Sequence, residues 1–493
     1  MQAHLSDLLN YHLSKLLKNP SSSDPLADCP ASVLSILATH PASLIRLAHS
    51  KLYAWPYAEV PACWRRLFAD ASIVHAIRLI QQSSDAGSVR EVEANRPDSE
   101  DGEAKQEAQK ESGHGSTKAD DWIQEVVRLL DTAIIMAGAE SRHDMIESIL
   151  QALQCYLQEQ QFEIDGPIVK RRKKDPSQHR HNDRFPIQCS TNTGTLPLIK
   201  YPISSASALP VFAFGKHLEA RKGPLVIRKA LEHWPALHER PWGSPSYLME
   251  RTFGGRRLVP VEMGRSYTDE GWGQRILTFG DFVEKYLTRD NQRPYSSAFE
   301  HDRHLMDDSD DAASKDIEDE VAEELHIGYL AQHDLFSQIP SLRKDISIPD
   351  YCFTDPPPQT VRGTKDQRTT PHLEEPLLNA WFGPAGTVSP LHTDPYYNIL
   401  CQVVGKKYVR LYNPDQTDKL YPRGFEGGIN MSNTSELDVE GKKDELLRKF
   451  PLFHEAQYVE TILEEGQCLY IPVGWWHYVR SLTVSFSVSF WWN

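Results

Sequence analysis

The chain has 493 residues, more than one hydrophobic core holds, since single cores stop growing near about 250–300 residues. With 40% hydrophobic and 25% charged residues it reads as a soluble globular protein of two domains. A formal charge of −15 argues against direct nucleic-acid binding, which needs a basic surface, and leaves basic proteins or peptides as the expected partners. No stretch approaches the roughly 18 uncharged apolar residues of a membrane span, and the start, MQAHLSDLLNYHLSKLLKNP, is amphipathic rather than a signal peptide. Seven cysteines lie scattered without CxxC or zinc-finger spacing, as in a reducing compartment. The expected location is the nucleus, the cytoplasm or both, with no membrane partner.

In chain order, residues 1–165 predict a helical domain. Leu5, Leu8, Leu9, Leu13, Leu16 and Leu17 recur at three-and-four spacing, and WRRLFADASIVHAIRLI repeats the habit. Residues 83–119 carry only two valines as large apolar side chains, too few to offset the entropy of ordering, so a disordered insertion is expected there. Helical register resumes from Trp122 to Gln161, with a break near Gly138. These helices are available to an unknown protein partner.

Residues 166–204 read as a linker, with a basic run KRRKK at 170–174 that suits a nuclear-import signal or a merely solvated charge cluster. From 205 to 493 the texture becomes β-rich: GPLVIRKAL, PLLNAWFG, YNILCQVVGKKYVRLYNP, QCLYIPVGWWHYVRSL and TVSFSVSFWW are short β-branched and aromatic runs cut by Gly, Pro and Asp. A barrel or sandwich follows, with an acidic insertion at 301–325 and a proline-rich surface loop at 354–375. The expected fold class is α+β.

Within SPLHTDPYYN, His392 and Asp394 stand two residues apart, so on a strand both point to one face. An isolated H-x-D also fits a plain polar dipeptide, and a metal site needs a third ligand. His477, in IPVGWWHYVRSL, is the best candidate, presented by a Gly-containing turn between apolar strands. Two histidines and one carboxylate with open positions make the facial triad of non-haem Fe(II) oxygenases, which accept a chelating 2-oxo acid and O2. In KKYVRLY the alternation puts Lys407 on the face of Val409 and Leu411. A lysine turned inward there is costly without an anion, and a cosubstrate carboxylate would supply one.

Taken together, GPLVIRKALEHWPAL, NAWFGPAGTVSPLHTDPYYNILCQVVGKKYVRLYNP and GQCLYIPVGWWHYVRSLTVSFSVSFWWN resemble the JmjC branch of the cupin-type Fe(II)/2-oxoglutarate oxygenases. The likeness is greatest to the group that carries the labels lysine demethylase 8 and bifunctional peptidase and arginyl-hydroxylase. It spans about residues 205–493 and includes HIGYLAQHDLFSQIPSLRKDISIPDYC. The resemblance implies a double-stranded β-helix, the cupin or JmjC barrel, with iron on His392, Asp394 and His477. It further implies 2-oxoglutarate held by Lys407 and Tyr329, with Asn398, Ser389 and Trp381 lining that pocket. Tyr396 and Tyr397 stand where relatives often carry glutamine.

The same resemblance assigns Glu262 and Tyr267, in VPVEMGRSYTDEGW, to a substrate guanidinium, with Trp491 completing an aromatic wall. H-x-D in place of H-x-E and the lack of zinc-bound reader modules favour hydroxylation of an arginyl side chain in a histone or other arginine-containing protein. The alternatives are histone N-methyl-lysine demethylation by the same oxidation and a catalytically silent scaffold. No Cys/His or Ser/His pairing in the sequence supports a peptidase.

Overall fold

The computed structural model describes residues 2–56, 59–94, 121–165, 183–186, 196–266, 268, 272–288, 327–357, 370–426 and 429–493. The chain forms two units, Met1–Lys174 with Arg256–Leu258, and Asp175–Gly255 with Val259–Asn493.

The first unit is helical: α1 (Gln2–Leu16), the single turn α2 (Ala31–Leu34), α3 (Pro41–Leu52), α4 (Ala62–Ala94), α5 (Asp121–Ala137) and α6 (His143–Asp165). Apolar residues at helical spacing form its core, among them Leu5, Leu9 and Leu16 of α1, Leu67, Val74 and Ile77 of α4, Val126 and Leu130 of α5, and Ile149 and Leu153 of α6. Leu17 instead stays 39% exposed just past the end of α1. The break foreseen near Gly138 is a left-handed turn, Gly138 at φ 72°, a conformation glycine adopts without steric cost. The buried Asp70 carboxylate is paired with Arg142 at 2.7 Å and Arg66 at 3.4 Å.

The structure corrects one boundary here. Helix α4 runs on to Ala94, into the segment expected to be disordered from residue 83. Composition alone missed this because a helix already nucleated adds a backbone hydrogen bond for each residue it gains, whatever the polarity of that residue. The rest of that insertion, the KRRKK run, the acidic insertion at 301–325 and the middle of the 354–375 loop lie outside the described residues.

The second unit contains β1 (Ser205–Ser207), β2 (Leu225–Arg228), β3 (Leu258–Met263), β4 (Gly273–Thr278), β5 (Gly328–His333), β6 (Leu377–Gly383), β7 (Val388–His392) and β8 (Tyr397–Val404). There follow β9 (Lys407–Tyr412), a small ribbon of β10 (Phe425–Glu426) and β11 (Ile429–Asn430), then β12 (Tyr458–Leu463), β13 (Cys468–Ile471), β14 (Trp476–Ser481) and β15 (Ser485–Trp492). They build a nine-stranded sheet in the order β1-β2-β13-β8-β15-β6-β5-β3-β4 and a four-stranded sheet β12-β9-β14-β7. The interleaving of late with early strands is the double-stranded β-helix.

Strand alternation separates the layers. On β8 and β15, Tyr397, Ile399, Cys401, Val403, Phe486, Val488, Phe490 and Trp492 enter the main core, which lies under the short helices. The residues between them point at the small sheet, where Leu400, Leu469 and Ile471 meet Val409, Leu411 and Val479. This inter-sheet layer also holds polar groups that satisfy one another: Ser487 donates to Gln402 and Gln402 to Ser485, each at 2.7 Å. The free edge of β12 is covered by residues expected to be linker. Glu460 donates its backbone N–H to Tyr201 at 2.8 Å, and Ile203 donates to Glu460 at 3.0 Å. Upstream, Phe185 is buried in the main core with its ring 5.5 Å from that of Phe382. The expected linker 166–204 therefore contributes packed residues, because an open strand edge and an uncovered apolar face both favour coverage.

Candidate active site

Antiparallel pairing of β7 with β14 makes His392 and His477 direct partners, and the chain leaving β7 brings Asp394 beside them. His392 Nε2 lies 3.6 Å from Asp394 Oδ1, and His477 Nε2 lies 3.4 Å from Asp394 Oδ2. One donor atom from each of the three lies within 4.8 Å of the others, the only such group among the described residues. Segment 433–435 backs this corner: Thr393 donates its N–H to Asn433 at 2.8 Å and Ser435 to Leu391 at 2.8 Å.

The imidazoles are oriented by their other nitrogen. His392 Nδ1 sits 2.7 Å from the carbonyl of Pro390, and His477 Nδ1 sits 3.0 Å from that of Trp475. A carbonyl only accepts, so each Nδ1 carries the proton and each Nε2 keeps its lone pair toward the centre. Asn398 Nδ2 donates to Asp394 Oδ2 at 3.1 Å. Burial and the neighbouring His477 push the His392 pKa down to about 4. Burial opposes ionisation of Asp394, yet the imidazoles and Asn398 hold its carboxyl below the usual value. Burial likewise opposes charge on His477, but Asp394 outweighs it and raises that pKa. An anionic carboxylate between two inward lone pairs, short of full coordination, fits a divalent ion that keeps places for other ligands.

The pocket in front of the triad is lined by Tyr329, Trp381, Ser389, Asn398, Leu400, Lys407, Ile471, Val479 and Ser489. Lys407 opens β9, is 2% exposed and donates from Nζ to the phenol of Tyr329 at 3.3 Å. No acid among the described residues pairs with it, and burial lowers its pKa to about 7. Tyr329 lies over Gly383, where an added Cβ would stand 2.6 Å from the ring. Trp381 donates its indole N–H to Ser489 at 2.9 Å. Asn398 keeps its buried Oδ1 without a partner. The pocket thus offers one cation and a phenol O–H to an incoming acid.

Outside this pocket, Glu262 of β3 is the register partner of Tyr329 on β5 and is half-buried. Burial raises its pKa, opposed by a hydrogen bond from the indole of Trp272. Trp272 carries no signal in the sequence, because one tryptophan in a Gly- and acid-rich stretch has no period to reveal it. Tyr267 lies outside the described residues. Trp491 does not line the pocket: it stacks on Tyr396 at 5.9 Å, with its indole N–H buried and unpartnered. Tyr396 and Tyr397 donate to the carbonyls of Pro371 and Pro357 at 3.4 and 3.3 Å, tying down both described ends of the proline-rich loop.

A family profile described as a cupin-like domain matches residues 212–493. The chain belongs to the cupin-like JmjC family. Among its relatives is "Lysine-specific demethylase 8" of Danio rerio, 38% identical over 372 residues, 75% of each chain. The protein of that name in Xenopus tropicalis is 35% identical over 403 residues, 75% of this chain and 78% of its own. "Lysine-specific demethylase JMJ30" of Arabidopsis thaliana is 36% identical over 384 residues, 75% of each. This JmjC protein is accordingly a 2-oxoglutarate-dependent dioxygenase whose cofactors are Fe(II), 2-oxoglutarate and O2.

Proposed function

We propose that the protein hydroxylates an arginyl side chain of a protein substrate. His392, Asp394 and His477 would hold Fe(II). Lys407 and Tyr329 would hold the far carboxylate of 2-oxoglutarate, with Asn398, Ser389 and Trp381 around it. Bound iron supplies the activation of O2, one oxygen atom going to the substrate carbon and the other to the keto acid, which leaves as succinate and CO2. The chain's own residues place the target carbon and exclude water around it.

The observation that carries the arginyl reading is Glu262. Its carboxylate faces the same side as Tyr329, half-buried, with no cationic partner among the described residues. A carboxylate accepts a guanidinium through two parallel hydrogen bonds, and the indole of Trp272 offers a plane for it to stack on. Tyr267 and Trp491 belong to the same proposed substrate wall. A nuclear or cytoplasmic setting goes with this reading, as does a protein partner for the N-terminal helices; no described helix is long and apolar enough to cross a membrane.

A second reading, oxidation of an N-methyl-lysine methyl group with release of formaldehyde, is the one that the names of the relatives favour more directly. The test is mass spectrometry of basic peptides incubated with Fe(II), 2-oxoglutarate and O2, against a His392→Ala control. Added oxygen on arginine supports the first reading. Methyl loss from lysine with formaldehyde, and no oxygen on arginine, establishes the second.

A further inference from the structure

We propose that Glu262 couples the substrate site to the cosubstrate site: its negative charge beside Tyr329 weakens 2-oxoglutarate binding until a cationic substrate side chain neutralises it. The inference rests on the reading above that the substrate side chain is a cation.

The strands set up the geometry. Glu262 and Tyr329 are directly paired across the antiparallel strands β3 and β5. Side chains so paired share a face of the sheet, with Cβ atoms about 4.5–5.5 Å apart. The opposite face of the same strands is core, through Val261, Met263 and Leu330, so Glu262 and Tyr329 both turn away from it toward the site. Tyr329 in turn receives the Lys407 ammonium at 3.3 Å. Tyr329 therefore stands next to Glu262 through the strand pairing and next to Lys407 through its phenol, and Lys407 is the only buried cation, among the described residues of this pocket, for the far carboxylate of 2-oxoglutarate.

Two effects of Glu262 act in the same direction. A second anion brought to Lys407 and Tyr329 is repelled by a carboxylate one side chain away, in surroundings where burial limits screening. Burial above all raises the Tyr329 pKa, against a hydrogen bond with Ser389, and the Glu262 charge adds to that rise, so it makes the phenol a poorer donor to the incoming acid. A guanidinium or ammonium docked on Glu262 cancels both. Because coupling between two binding sites is reciprocal, 2-oxoglutarate must tighten the cationic substrate by the same factor. An enzyme built this way keeps its cosubstrate site less occupied when no substrate is present, which limits fruitless consumption of the keto acid.

The test measures equilibrium binding of 2-oxoglutarate to the full chain loaded with Mn(II) under exclusion of O2, with and without saturating N-acetyl-arginine amide. Wild type should bind 2-oxoglutarate roughly threefold to tenfold more tightly with the arginine probe, a size set by one screened charge pair. Glu262→Gln should show that tighter binding with no probe and no further response. Glu262→Asp, which keeps the charge, should respond as wild type does. A folding defect would weaken binding, so gained affinity separates the charge effect from damage. A Glu262→Gln chain that retains Mn(II) yet binds 2-oxoglutarate no more tightly than wild type overturns the coupling. A tighter Glu262→Gln with wild type indifferent to arginine and methyl-lysine probes would instead overturn the cationic-substrate reading.

Discussion

His392 and His477 are direct partners across β7 and β14, their rings 4.1 Å apart, and each turns Nδ1 onto the carbonyl two residues before it, Pro390 and Trp475. The backbone thus selects the tautomer of both rings. Asp394 is held differently, by a side chain.

That difference makes Asn398 testable. Asn398→Ala removes the 3.1 Å hydrogen bond to Asp394 Oδ2 and leaves the imidazoles alone. Mn(II) affinity or turnover should fall about 10–100-fold, the usual effect of removing a group that orients a metal ligand. Unchanged values would mean that Asp394 is positioned by its backbone alone.

Lys407 gives the pH dependence. Its ordinary pKa of 10.5 is lowered by burial to about 7, and a bound carboxylate favours the charged form, so the complex has the higher pKa. Above about pH 7 binding must therefore take up a proton, and 2-oxoglutarate affinity should weaken by up to about tenfold per pH unit. Below about pH 7 this group contributes no slope. For the empty protein the sign is opposite: unfolded chains bind this proton up to about pH 10, so the stability penalty of the buried ammonium is full below pH 7 and is relieved as pH rises through that window. Lys407→Met should raise the melting temperature of the empty protein at pH 6 while abolishing measurable 2-oxoglutarate binding; titration calorimetry and thermal melts check the two halves.

Gly383 tests the seat of Tyr329. A Cβ there would stand 2.6 Å from the Tyr329 ring and 3.0 Å from the Thr387 side chain. Gly383→Ala should cost about 1–3 kcal/mol of stability and, by displacing the phenol, weaken 2-oxoglutarate several-fold. Gly215, in the helix Val211–Glu219 with nothing within 4 Å of its added Cβ, is the control. Gly215→Ala should stabilise by about 0.5–1 kcal/mol with binding unchanged.

The parts of this site that follow a short local period were legible in the sequence. Strand alternation turns Lys407 inward with Val409 and Leu411, and the structure buries all three. The H-x-D spacing brings His392 and Asp394 together, but Asp394 stands past the end of β7, so the turn and not strand alternation places it there. Tyr329 needed the family resemblance, because its place opposite Glu262 comes from pairing β3 with β5, strands far apart in sequence. Trp272 could not be read at all, since only a tertiary hydrogen bond to Glu262 distinguishes it. The linker was misjudged for a related reason. Phe185 and residues 200–203 follow no helix or strand period locally, and their packing partners, the main core and the edge of β12, lie far off in sequence.

His392 of β7, Asp394 of the turn after it and His477 of β14 would together make one metal site. Mn(II) binding to the folded chain, followed by equilibrium dialysis, tests it most directly. Wild type should take up a single Mn(II), and His392→Ala, Asp394→Ala and His477→Ala should each lose it while keeping the circular dichroism of the wild type. A His477→Ala chain that binds Mn(II) as tightly as wild type would contradict the account.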